Sequence, residues 1–164
     1  RFWRLYACER CGGVITAAST FGWDNTVTEI YPSPNTVSEV IPEPAKRYLR
    51  QAIQTLQSPD GSIVLSASAV DSMLKNKGYK EGSLYSRIEK AAEDHLITSE
   101  MSLWAHEVRL DANDQRHADD AAIQPTTEDA TKCIDFVQAL AEIIFVLPSR
   151  VTRGLSLATK KSAG

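Results

Sequence analysis

Four polar side chains between residues 106 and 117 are of the types that acid–base chemistry on a phosphate requires: His106, Arg109, Asn113 and His117. On a helical wheel they fall within a sector of about 80°, nearly opposite the apolar residues of the same segment. An imidazole exchanges protons near neutral pH, and a guanidinium binds phosphate oxygens and stabilises charge on a phosphorane. One His and one Arg on this face are therefore the minimum for phosphodiester cleavage without a metal.

The same pattern also fits an ordinary surface helix, which turns apolar residues inward and polar residues outward. Acidic side chains crowd the segment, and their charge repels phosphate: Glu107, Asp111, Asp114, Asp119 and Asp120. The spacing thus leaves a catalytic face and a solvated face as alternatives. His95, at the end of the preceding segment, is predicted to be a packing or capping residue.

Apolar residues at helical spacing predict five helices after Pro44, the fourth of which carries the polar face. Helix-start and helix-stop signals bound these segments: Pro44, Gly61, Gly78, Ser83, Ser99, the Thr126–Asp129 capping box and Pro148. Amphipathic helices with short connections predict a mostly α fold, an antiparallel bundle of about five helices.

The rest of the chain differs from the bundle in composition. Residues 1–31 are rich in aromatic and β-branched residues and predict a β-rich, zinc-knuckle-like element. Residues 32–44 contain four prolines and predict an extended strap. The bundle is predicted over residues 45–150, and a flexible basic tail over 151–164.

The composition and charge of the chain limit the cellular compartment and the kinds of partner that we expect. The net charge of −3 argues against a global nucleic-acid-binding field. No apolar run reaches the roughly 18–20 residues that cross a bilayer, and residues 1–7 lack the apolar stretch of a secretory signal. Three cysteines do not make a disulfide framework. We therefore expect a cytoplasmic protein with no membrane contact.

Cys8 and Cys11 are the two cysteines of a Cys-x-x-Cys-Gly-Gly turn that is typical of one knuckle of a zinc ribbon. A closed zinc site needs four ligands, and the sequence contains no second pair of cysteines. Either residues outside this sequence or a second chain would complete the site, or the turn holds free thiols. Cys133, within the fifth helical segment, is predicted to be a small buried apolar residue.

The run from Val108 to His117 resembles the signature of the domain of unknown function 4145 family: an Arg, an Asn four residues later, and a His four residues after that. The Cys-x-x-Cys-Gly turn, Tyr31-Pro32, Ile41-Pro42-Glu43, Thr126 to Ala130 and Leu147-Pro148 are similar to other family features. The resemblance covers roughly residues 6–150. It implies an Arg in the second helix, which residues 61–74 lack, and an acidic residue where Asp71 stands.

That family is similar to the HEPN superfamily of helical bundles, many of which are metal-independent ribonucleases in phage-defence systems. The resemblance implies a homodimer, with Arg109 and His117 as a catalytic pair, Asn113 as an accessory residue and His106 nearby. Because a fold does not by itself carry an activity, we favour a non-catalytic or weakly active module that dimerises or binds a protein partner in a restriction or defence assembly. The alternative is a metal-independent endoribonuclease that acts on RNA.

Overall fold

The computed structural model describes residues 1–7, 13–20, 26–31, 37–108, 110 and 124–161. The chain forms two compact units, residues 1–36 and residues 37–164. The first unit is a small sheet and the second is helical. The predicted mostly α architecture with an N-terminal β element is therefore confirmed.

The N-terminal unit is an antiparallel sheet in the order β1-β2-β3, with β1 at Phe2–Ala7, β2 at Val14–Ser19 and β3 at Val27–Tyr31. Ala7 pairs with Val14 at the end of the β1–β2 ladder. Residues 8–12, with Cys8 and Cys11, lie between these two paired strands in the sequence and outside the described residues, so the predicted knuckle stays a prediction.

The helical unit follows the predicted order of segments. The helices are α1 at Ala45–Gln54, α2 at Pro59–Asn76, α3 at Leu84–Glu93, α4 at Ser99–Glu107, α5 at Thr127–Ala141 and α6 at Leu147–Lys161. A π-helical segment, Glu142–Val146, joins α5 to α6. In the core, α2 packs against α1, α3 and α5. Fully buried side chains on these elements include Leu49, Val70, Ile88 and Phe136.

Local capping interactions bound most helices where the sequence placed them, but Thr98 rather than Ser99 is the N-cap of α4, and Gly61 lies inside α2 rather than before it. Ser83 accepts a hydrogen bond from the Ser86 N–H before α3, and Thr126 with Asp129 forms a complete capping box before α5. Gly78 follows α2 with φ of 101°, and His95 follows α3 with φ of 58°. His95 therefore occupies the left-handed position at a helix C-terminus, which confirms its capping role.

The structure differs from the sequence prediction at Pro148. We expected the last helix to end there and residues 151–164 to form a flexible tail, but residues up to Lys161 are helical. A proline inside a helix removes one N–H and collides with the carbonyl four residues earlier. The π-helical segment just before Pro148 changes the pattern of helical backbone hydrogen bonds, since the Leu147 N–H bonds to the Glu142 carbonyl five residues back. The helical run from Thr127 to Lys161 is therefore continuous.

The fourth helix is shorter than its apolar spacing predicted. It ends at Glu107, and Val108 is its C-cap residue. Leu110 is non-helical and fully buried. Its burial anchors the chain to the core just after α4.

Candidate functional site

Most of the residues predicted to form a site lie outside the described part of the chain. These are Arg109, Asn113 and His117 of the proposed catalytic face, and Cys8 and Cys11 of the proposed knuckle. Their mutual geometry therefore stays a prediction. The two described positions that bear on the catalytic face are His106 and Leu110.

His106 lies on the side of α4 that faces α3. Its ring stacks on Tyr85, with centroids 4.7 Å apart and planes 10° from parallel. Its Nε2 lies 3.5 Å from Oε1 of Glu89, and its side chain is 42% exposed. The imidazole is therefore held by an aromatic ring and a carboxylate while it remains reachable from solvent.

Leu110 is the described residue next to Arg109, and it lines a groove between α2 and α3. The groove also contains an ion pair in which Nη2 of Arg87 lies 2.5 Å from Oδ1 of Asp71. The predicted polar segment therefore starts at the edge of a polar groove. Sequence reasoning singled out Asp71 but missed Arg87. The available signal was a charged residue on the same helix face as Leu84, Ile88 and Ala91.

A second surface feature is the apolar side of α6. Leu147, Val151 and Leu155 follow one another at four-residue spacing and are 51%, 53% and 65% exposed. In the described part of the chain, α6 packs only against the π-helical segment that precedes it. We call these three residues the α6 stripe. Its apolar surface is large for a helix in water, and such surfaces commonly mark interaction sites.

A third surface feature is on the outer side of α4 and α5. Leu103 is 66% exposed and Trp104 is 37% exposed. Trp104 packs edge-on against Phe136, at 5.4 Å between centroids, so this side of α4 adjoins α5. Glu100 and Glu107 flank the two apolar residues on α4, and Asp135 is exposed on α5. We call these five residues the acidic α4–α5 face.

The remaining cysteine is structural. Cys133 is fully buried, and its Sγ donates to the Val108 carbonyl at 3.0 Å. Burial raises the pKa of its thiol to about 11, and the nearby charge of Asp129 adds to this effect. Because the thiolate is the reactive form, Cys133 is inert near neutral pH. Its predicted role as a buried apolar residue is confirmed.

Neither a metal cluster nor a membrane span is found among the residues that the structure describes. No group of three or more His, Cys, Asp or Glu side chains there could hold a metal ion. None of the described helices has the length and apolar character needed to cross a bilayer.

Comparison with known proteins identifies the helical unit. The family model described as a domain of unknown function, DUF4145, matches residues 50–158. Neither the curated proteins nor the solved structures give a significant match. The matched region runs from α1 into α6 and includes the segment that holds Arg109, Asn113 and His117, so it covers most of the chain. The chain therefore belongs to the DUF4145 family.

Proposed function

We propose that this chain is a HEPN-like dimerising module in which α6 of each copy packs on the acidic α4–α5 face of the other. The observation that carries the proposal is the exposed α6 stripe of Leu147, Val151 and Leu155. The stripe lies on the last part of the helical run, which packs only against the π-helical segment in the described part of the chain. A surface that covers the stripe would remove apolar area from water and stabilise this part of the helix.

The acidic α4–α5 face of the same copy is out of reach of its α6. Trp104 packs at the level of Phe136, and Leu155 lies 19 residues further along the same helical run. At 1.5 Å per residue this separation is about 28 Å along the axis. A second copy meets no such constraint, because its α6 can approach from outside.

Charge complementarity favours a second copy as the occupant. The α6 helix contains four basic residues and no acidic ones, a formal charge of +4. The α4 and α5 helices contain Glu100, Glu107, Glu128, Asp129 and Asp135 against Lys132, a formal charge of −4 with His106 neutral. Opposite charges around apolar centres steer association and fix its register.

Two-fold symmetry completes the arrangement. If α6 of one copy covers the acidic face of its partner, the two-fold axis makes the partner do the same in return. Both exposed surfaces are then covered and the assembly closes as a dimer. The contact uses the α5 side of α4 and leaves His106 on the opposite side, beside Tyr85.

Light scattering on the full chain tests this proposal. We expect a mass of twice 18.1 kDa for the wild type and a monomeric mass for Val151→Asp, which puts a charge in the centre of the stripe. Ser156→Asp is the matched control, because it adds the same charge on the other side of α6. A monomeric wild type at micromolar concentration overturns the proposal, as does a Val151→Asp protein that remains dimeric.

The alternative function, a metal-independent endoribonuclease, depends on Arg109, Asn113 and His117. It is supported by their spacing and by Leu110, which holds the start of their segment at the α2–α3 groove. A role in a restriction or phage-defence assembly is supported by the family resemblance, and a cytoplasmic location by the small number of cysteines. A zinc ion on Cys8 and Cys11 would still need two more ligands, and the sequence contains no second pair of cysteines.

A further inference from the structure

The α2–α3 groove has the dimensions and lining of a small-molecule site, which goes beyond the dimerisation proposed above. It has a volume of about 870 Å³, within the range of pockets that hold drug-sized ligands. Small residues on α2, Ala67, Ser68 and Ser72, leave the space open, and Tyr48 and Tyr85 contribute aromatic walls. The stack on His106 fixes the orientation of the Tyr85 ring.

Arg87 is the polar side chain that most needs a partner in this groove. The residue is only 7% exposed. Its Nη2 contacts Asp71, and its Nε donates to the Ser83 carbonyl at 3.3 Å. Its Nη1 is buried, and none of the described residues accepts a hydrogen bond from it. Buried donors of this kind are costly when unpaired, so an acceptor brought by a ligand would be favourable.

The charges of the groove select against a strongly charged ligand. Glu43 and Asp71 oppose Lys75 and Arg87, which gives a formal charge of zero. Asp71 contacts both cations, since its Oδ2 lies 2.7 Å from Nζ of Lys75. A phosphate or second carboxylate would meet two carboxylates as well as the cations, and it would lose its hydration. A neutral ligand avoids both costs.

We infer that the groove binds an uncharged, planar heteroaromatic molecule that carries a carbonyl acceptor. The ring would pack against the aromatic side chains that line the groove, Tyr48 and Tyr85. The carbonyl would accept a hydrogen bond from the Arg87 guanidinium, whose Nη1 lacks an acceptor among the described residues. Asn76 and Ser72, which also line the groove, offer donors and acceptors for the rest of the ring edge.

Two matched pairs of probes test this inference by NMR titration of the labelled full chain and by calorimetry. The pairs are nicotinamide with nicotinate, and uridine with uridine 5′-monophosphate; members of a pair differ by one charged group. We expect at least one neutral member to bind about tenfold more tightly than its charged partner, a difference of about 1.4 kcal/mol. The shifted resonances should include those of Tyr85 and Ser72.

Variants separate binding in the groove from binding elsewhere. Ser72→Trp fills the groove and should abolish binding, whereas Ser99→Trp adds the same side chain at an exposed position outside it. Arg87→Lys retains the charge but lacks the Nη1 donor, so it should weaken binding while circular dichroism stays unchanged. Tighter binding of the charged members, no binding of any probe, or unchanged binding to Ser72→Trp overturns the inference. The dimer mass is read independently, so the two proposals fail separately.

Discussion

Arg87 on α3 and Asp71 on α2 join their helices through an ion pair at 2.5 Å, in which the Arg87 side chain is 9% exposed and the Asp71 side chain 30% exposed. Asp71 also contacts Lys75 one turn along α2, but the Lys75 side chain is 51% exposed. The two contacts therefore differ in burial while sharing one carboxylate. That difference makes their energetic contributions separable.

Removing the Asp71 carboxylate should be more destabilising than removing the Lys75 ammonium. We expect Asp71→Asn to lower the free energy of unfolding by about 1.5–3 kcal/mol, because it weakens hydrogen bonds to a buried charge. Lys75→Gln should cost about 0–1 kcal/mol, since exposed ion pairs contribute little. Urea denaturation of both variants measures the difference. Equal losses would mean that the buried contact contributes no more than the exposed one.

The same carboxylate should make stability depend on pH in the acid range. Burial raises the pKa of Asp71, but the combined hydrogen bonds and charges of Lys75 and Arg87 outweigh it and hold the pKa below 3.8. The folded state then binds fewer protons than the unfolded state between the two pKa values. The contribution is fully present above the unfolded pKa and is lost as pH falls through the folded pKa. Melting curves between pH 2 and 6 should show a shallower acid loss for Asp71→Asn than for the wild type.

Two buried serines on α2 offer a matched test of hydrogen bonding. Both are fully buried. Ser62 donates to the Ala52 carbonyl at 2.9 Å, whereas Ser66 Oγ has no hydrogen-bond partner among the described residues. Ser62→Ala should therefore cost about 1 kcal/mol, and Ser66→Ala should be neutral or stabilising. A larger loss for Ser66→Ala in thermal denaturation would show that its hydroxyl is satisfied.

Charge reversal should distinguish the proposed α6 contact from other modes of dimerisation. One variant carries Arg150→Glu and Arg153→Glu on α6, and the other carries Glu107→Lys and Asp135→Lys on the acidic face. Each variant alone should be monomeric, because the formal charge of α6 falls from +4 to 0 in the first variant and that of α4 and α5 rises from −4 to 0 in the second, which removes the attraction. An equimolar mixture should form a heterodimer, because the unchanged α6 of the second variant can then meet the unchanged acidic face of the first. Native mass spectrometry measures this outcome; a mixture that stays monomeric argues against the pairing of these surfaces.

The endoribonuclease alternative has its own test, which does not depend on the dimer surfaces. If His117 is the general acid or base and Arg109 stabilises the developing charge, the chain should cut single-stranded RNA in EDTA and leave DNA intact. His117→Ala should lower the rate by about 10²–10⁴-fold. Equal cleavage by the wild type, His117→Ala and Arg109→Ala would indicate a contaminating nuclease. No cleavage by the wild-type dimer would favour the binding module.

The sequence by itself determined the features that depend on neighbouring residues. Ser83, the Thr126–Asp129 capping box and Gly78 lie at helix ends because capping and left-handed turns involve groups only a few residues apart. The strands β1 and β2 were predictable for the same reason. The apolar spacing of the bundle likewise reflects the periodicity of a single helix.

The tertiary structure decided the features that join distant residues or override a local signal. Pro148 is a strong local stop, yet the π-helical segment before it carries the helix on to Lys161, which extends the apolar side of α6 away from the bundle. A charged residue such as Arg87 is expected at the surface from the sequence alone, whereas in the structure it pairs with Asp71 of α2. The fourth helix ends at Glu107, and Leu110 beyond it is non-helical and buried in the core. The Arg87–Asp71 contact and the burial of Leu110 depend on the packing of elements that are distant in sequence, which no short window of residues contains.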